Sequence, residues 1–205
     1  HLPISETPAN IKIEIQKIKN SGIDFYGGGV FYMKTKEDVE KVFEYAKLTG
    51  INTIIGVPSI DLIPIVNKKI KEYDIMVAVH NHGPEDETFP TCESIYELIQ
   101  NLDSRFGLCM DIGHTQRCGL NPAEEIIRFK DRLLDLHLKD VSKAEADGEE
   151  LEIGRGAIDI PAVIKALKTI DYKYVASFEF EKDPENILPG LAESVGYVKG
   201  IIDSV

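Results

Sequence analysis

LLDLHLKD, residues 133–140, alternates strictly. In an extended chain Leu134, Leu136 and Leu138 share one face while Asp135, His137 and Lys139 share the other. YVASFEFE, residues 174–181, repeats the pattern, with Ala176, Phe178 and Phe180 opposing Ser177, Glu179 and Glu181. Outward from these two runs, short stretches rich in Val, Ile and aromatic residues alternate with longer stretches of helical period. Strands are predicted at 24–32, 52–57, 75–82, 106–113, 133–140 and 174–181, and HLPI at the start reads as the end of another. Amphipathic helices are predicted near 9–21, 36–49, 60–73, 91–102, 122–131, 160–170 and 190–203. Gly22 and Gly50 follow helical runs as stop signals, and Asn121-Pro122 and Asp159 with Pro161 open two others as cap and first turn.

Repeated βα units imply a parallel sheet, open or closed into a barrel. An open sheet covered on both faces by helices is apolar on both, whereas a barrel can turn polar groups inward near its C-terminal mouth. The two alternating runs therefore select a (β/α)8 TIM barrel, as one domain over residues 1–205. Six strands and the HLPI remnant fall short of eight, so the expectation is that the first strand and helix are absent from this numbering.

Composition narrows the function. Acidic residues outnumber basic ones 35 to 23, for a formal net charge of −12, which opposes a phosphate-tracking nucleic-acid surface or a polybasic membrane contact and favours a small-molecule partner. Cys92, Cys109 and Cys118 show no CxxC spacing and leave one unpaired, so they read as reduced thiols. No apolar run approaches the roughly 18–20 residues of a membrane span. A cytoplasmic location is expected if no export signal preceded the chain, and assembly into a homo-oligomer is left open.

Apart from His1, every histidine falls at or just beyond the C-terminal end of a predicted strand: His80 and His82 in VAVHNHG, His114 in MDIGH, His137 in LHLKD. Asp111, Glu179 and Glu181 accompany them. In a parallel barrel such ends converge on one rim, where active sites of that architecture lie. Imidazole and carboxylate together suit a divalent ion such as Mn, Co, Fe, Ni, Zn or Mg, and Asp111, His137 and Glu179 form the core ligand set. Any one of these histidines alone reads equally well as a hydrogen-bonded strand-end residue; it is their number beside the carboxylates that favours a metal. Lys139 should face the pocket and polarise a substrate oxygen, or else pair with Asp140 or Glu181. Arg155, between glycines in IGRGAID, suits an anionic or oxygen-rich ligand, with an incidental turn as the alternative, and Arg117 is a weaker case. Gly27-Gly28-Gly29 lacks nucleotide-loop spacing and reads as backbone flexibility at a strand.

HNHG at 80–83, CMDIGHT at 109–115, HLKD at 137–140, GRGAIDIPAVIKAL at 154–167 and SFEFE at 177–181 together resemble the xylose-isomerase-like TIM-barrel superfamily of sugar isomerases and epimerases. The resemblance covers roughly residues 24–200. It implies a metal held by Glu, Asp, His and Glu from successive strand ends. Asp111, His137 and Glu179 match three of these, and the first glutamate falls on His80, which keeps a ligand but alters the usual acid–base pair. By the same resemblance His114 and Arg155 contact substrate. Alternation in VAVHNHG aims His82, with His80, at the barrel mouth, as a substrate contact or a support behind the ligands.

The function so implied is a metal-dependent isomerase or epimerase acting on a small sugar, sugar phosphate or related ketone. Glu179 and His80 would exchange protons next to a carbonyl. Rival readings are a dehydratase or lyase on the same scaffold, a phosphodiester-cleaving enzyme that the net charge opposes, and a sugar-binding barrel without turnover.

Overall fold

The computed structural model describes residues 2–204. These divide into two compact units, residues 2–80 with 99–107 and residues 81–98 with 108–204.

The first unit opens with α1 (Pro8–Asn20), capped by the Thr7 hydroxyl, which accepts the Asn10 N–H. Next come β1 (Phe31–Met33), α2 (Lys36–Thr49), β2 (Thr53–Pro58), a 3-10 turn (Ile60–Leu62) leading into α3 (Ile63–Tyr73), and β3 (Met76–His80). α2 has the bounds its period predicts because both ends are specified. Thr35 and Asp38 form a reciprocal capping box, and Gly50 closes the helix at φ +81°, where a Cβ would be strained. Its inner face buries Val39, Val42, Phe43, Tyr45 and Ala46, and Tyr45 joins Ile11 and Ile15 of α1 in an apolar cluster. β1, β2 and β3 pair in parallel, with Phe31 beside Gly56 and Ile54 beside Val77.

Two expectations fail in this unit. Strand 24–32 shrinks to Phe31–Met33, because the chain bends at Gly29, which sits at φ +96°, and a Cβ on Gly28 would lie 2.8 Å from the Phe31 ring. In the HLPI segment, Leu2 to Ile4 form no strand, and His1 lies outside the described residues.

The second unit contains most of α4 (Cys92–Ile99) and of β4 (Phe106–Asp111), then α5 (Ile112–Arg117), α6 (Pro122–Arg128), β5 (Leu133–Leu138), β6 (Asp140–Val141), β7 (Glu150–Leu151), α7 (Ile160–Thr169), β8 (Ala176–Phe178) and α8 (Ile187–Ser204). β4, β5 and β8 are parallel neighbours, and β6 and β7 form a separate antiparallel ribbon. Asn121 and Asp159 cap α6 and α7 as predicted, accepting the N–H groups of Ala123 and Ala162. The chain is thus α/β, with six strands in its main sheet.

Register positions the chemistry. Leu108 aligns with Leu133, but an irregularity shifts the pairing so that Cys109 aligns with Asp135 and Asp111 with His137. Had the first offset continued, Asp111 would align with Leu136 and its side chain would share a face with leucines. The bulge re-aims it toward His137. His137 in turn aligns with Ser177, and the Glu179 N–H donates to the Leu138 carbonyl at 3.1 Å, which carries Glu179 to the same strand ends. The opposite face is apolar as its alternation requires: Leu138, Ala176 and Phe178 line a cavity of about 500 Å³ with Ile164, Leu167 and Val198 of α7 and α8.

Candidate metal centre

Three donors meet at the ends of β4, β5 and β8. Asp111, His137 and Glu179 each offer a ligand atom, and these atoms lie within 4.8 Å of one another. Asp111 is fully buried and doubles as the N-cap of α5: one oxygen accepts the His114 N–H at 2.7 Å. Burial pushes its carboxyl up to about 7, opposed by the Lys139 ammonium and reinforced by Glu179, with which it shares a hydrogen bond. His137 Nδ1 lies 2.6 Å from Glu179 Oε2. Burial disfavours the imidazolium, but the hydrogen bond to Glu179 and the carboxylates of Glu179, Asp111 and Asp135 outweigh it and raise the His137 pKa.

Lys139 is 5% exposed, with Nζ 2.9 Å from Glu181, 3.8 Å from Asp111 and 3.9 Å from Glu179. Burial works against its charge, yet Asp111 and Glu179 together raise its pKa, so it stays an ammonium. Its stem crosses directly over Gly113, where a Cβ would sit 2.8 Å from Lys139 Cγ. The expected pairing with Glu181 is therefore present, and so is the placement beside the carboxylates.

Of the other sequence candidates, His80 is buried at the last position of β3, in the first unit. His82 lies 3.4 Å from Asp86 with its ring centroid 6.1 Å from that of His114, and burial lowers its pKa, partly offset by Asp86. Arg117 Nη1 is 3.2 Å from His114 Nδ1. A guanidinium only donates, so Nδ1 is the acceptor and the His114 ring proton sits on Nε2. The same guanidinium binds Glu85 and the Ala146 carbonyl, so Arg117 staples loops together rather than waiting for an anion.

Arg155 is not brought to the cluster. Its side chain is 62% exposed and forks onto both Glu193 oxygens at 2.5 and 2.9 Å, because α8 lays Glu193 against the turn that the Arg155 glycines create.

Sequence reading missed Asn81 and Asp135. Asn81 is fully buried and its Oδ1 accepts the Asp111 N–H at 2.9 Å, tying the loop after β3 to the end of β4. Asp135 lies fully buried beneath His137. The alternation of LLDLHLKD placed it on the His137 face, a signal that was available.

Two carboxylates and an imidazole at this spacing, among more acids than cations, fit a divalent ion with oxygen and nitrogen preferences. A model of the xylose isomerase-like TIM barrel family matches residues 33–200. The chain belongs to that family. Among members and neighbours of the xylose isomerase-like barrels, an inosose isomerase of Bacillus subtilis (strain 168) is 26% identical over 160 residues, which are 67% of this chain and 57% of that protein. The chain spans about half the length of the curated relatives it matches. A D-tagatose 3-epimerase-like protein superposes with a TM-score of 0.77 at 19% identity, covering 97% of this chain and 85% of that one. The IolI protein, whose structure holds a zinc atom, superposes with a TM-score of 0.78 at 17% identity, covering 95% and 82%. Among the described residues no helix is long and apolar enough to cross a membrane.

Proposed function

We propose that this xylose isomerase-like barrel is a metal-dependent isomerase or epimerase of a small sugar, sugar phosphate or related ketone. The observation that carries the reading is the convergence of Asp111, His137 and Glu179 donor atoms within 4.8 Å, beside a buried ammonium. These three would hold the ion. When bound, the ion supplies Lewis-acid polarisation of a carbonyl and a neighbouring hydroxyl.

The chain's own groups supply the rest. Glu179 is a quarter exposed, so its carboxylate reaches substrate from the edge of the cluster and takes or returns a proton at the carbon next to the carbonyl. His114, protonated on Nε2, donates to a substrate oxygen, and His82 lines the same approach. Lys139 places positive charge where an enediolate oxygen develops negative charge. Arg155 belongs to this scheme only if substrate draws it off Glu193.

Lys139 also favours a second reading. A buried ammonium beside the base can give its proton to a leaving hydroxyl, which would make the enzyme a dehydratase. Incubation with inosose, tagatose and allulose in deuterium oxide, with Mn, Co or Zn supplied, tests both. Solvent deuterium at the carbon next to the carbonyl, lost in Glu179→Gln, is expected; product lighter by one water would select the dehydratase. No deuterium with any metal, alongside tight sugar binding, would leave a binding protein without turnover.

A further inference from the structure

We infer that Glu150, on the β6–β7 ribbon, is a positioning residue for Glu179: its carboxylate stands in for the strand partner that β8 runs out of, and so keeps the chain extended where Glu179 turns toward the cluster. The inference rests on the role proposed for Glu179 and adds the group that aims it.

β8 pairs with β5 only as far as Phe178, and the last ladder bond runs from the Glu179 N–H to the Leu138 carbonyl. In an extended chain the next N–H with the same direction belongs to Glu181. There β5 no longer offers a partner, because the chain beyond it has left the main sheet: Asp140 and Val141 pair with Leu151 and Glu150 of β7 instead. Glu150 fills the gap, its two oxygens accepting the Glu181 N–H at 3.0 and 3.1 Å. A carboxylate acceptor makes this a charge-assisted bond, stronger than the ladder bond it replaces. Residues 179–181 are thereby held at both ends, and period-two alternation puts Glu179 and Glu181 on one face, Glu179 2.6 Å from His137 Nδ1 and Glu181 2.9 Å from Lys139 Nζ. Glu150 is itself fixed by the ribbon, where the Ser142 N–H donates to the Glu149 carbonyl at 2.8 Å and the Glu149 N–H to Ser142 Oγ at 3.0 Å. Glu152, next on the same face, binds Lys182 Nζ at 2.6 Å, so the ribbon grips two successive residues beyond β8. What the segment takes from Glu150 is an acceptor and not a charge, since Glu150 already stands beside two other carboxylates.

Amide exchange of the metal-free protein, read residue by residue in heteronuclear spectra, and calorimetric titration with Mn2+ test this. Glu150→Leu removes the acceptor and is expected to speed exchange of the Glu181 amide about 10–100-fold, with the Glu179 amide following. Displacing Glu179 should also weaken Mn2+ uptake about 10-fold. Glu150→Gln keeps a carbonyl acceptor and is expected to restore both, with the amides of β4 and β5 as the check on folding. Unchanged exchange in Glu150→Leu overturns the inference, as does a Gln variant no better than the Leu variant, or full Mn2+ uptake by a Leu variant whose Glu181 amide is released. If Glu150→Leu does not fold, wild type and Glu150→Gln decide: a protected Glu181 amide in both supports the inference, and an unprotected one in wild type overturns it. A wild type that takes up no Mn2+ ends the functional proposal, and the exchange of the Glu179 and Glu181 amides across the three proteins then decides the hold of Glu150 by itself.

Discussion

Replacing Lys139 by methionine keeps most of the buried stem and deletes the ammonium. Nζ lies 3.8 Å from Asp111 and 3.9 Å from Glu179, and unit charges about 4 Å apart interact by about 4 kcal/mol at an effective dielectric of about 20. The contact with Glu181, whose side chain is 70% exposed, adds little after solvent screening, about 0–1 kcal/mol. Removing one partner of a buried pair costs about 3–5 kcal/mol, so that is the loss expected in metal-free protein at pH 8. At pH 5 the Asp111 carboxyl, pushed up to about 7, is already protonated in the folded state and no longer needs Lys139. The loss should then fall to about half. Urea unfolding followed by far-UV circular dichroism, in chelator at both pH values, measures it. Equal losses at pH 5 and pH 8, or a loss under about 1 kcal/mol at pH 8, would refute the charge balance described for this cluster.

Metal-free wild type should lose stability as pH rises. Asp111 and His137 both have folded pKa values above their unfolded ones, so their contribution is complete below the unfolded values and disappears as pH climbs through the folded ones. Melting temperatures from pH 4 to 8 should fall in chelator and flatten with saturating Mn2+; a rise in chelator would contradict the assignment. Gly113→Ala places a methyl 2.8–3.1 Å from the Lys139 stem and should cost about 1–3 kcal/mol, while lowering kcat more than it raises KM. Asp140 accepts the N–H groups of Val141, Gly154, Gly156 and Ile158 from a fully buried position, so Asp140→Ala should destabilise by at least about 3 kcal/mol and expose the 152–158 loop to proteolysis.

The strand-end cluster was legible because it rests on period-two alternation, a property of the chain alone. LLDLHLKD shows His137 and Lys139 on one face whatever lies beside it, and SFEFE does the same for Glu179. Asp111 was found by its place at a strand end, but its meeting with His137 depends on the slip between Leu108 and Cys109, which only pairing with β5 produces. The β6–β7 ribbon was invisible for a related reason: two residues on each side carry no period, and their pairing is set by the Asp140 hydrogen bonds to a loop a dozen or more residues on. The ion pair of Arg155 was not legible because its partner, Glu193, is 38 residues away on α8, and flanking glycines describe a turn without saying what the arginine meets. GGG at 27–29 was read into a strand although the positive φ of Gly29 breaks the extended run before Phe31. The six strands of the main sheet follow the predicted order, but the strand expected over 106–113 ends at Asp111, whose side chain caps a short helix, α5, that the sequence reading did not include.

The central claim is a divalent ion held by Asp111, His137 and Glu179. Diffraction from crystals grown with Mn2+, collected with the anomalous signal of manganese, tests it most directly. A strong anomalous peak within bonding distance of one oxygen each from Asp111 and Glu179 and of His137 Nδ1 is predicted. A peak elsewhere, or no peak at a manganese concentration that saturates the protein in solution, would contradict it.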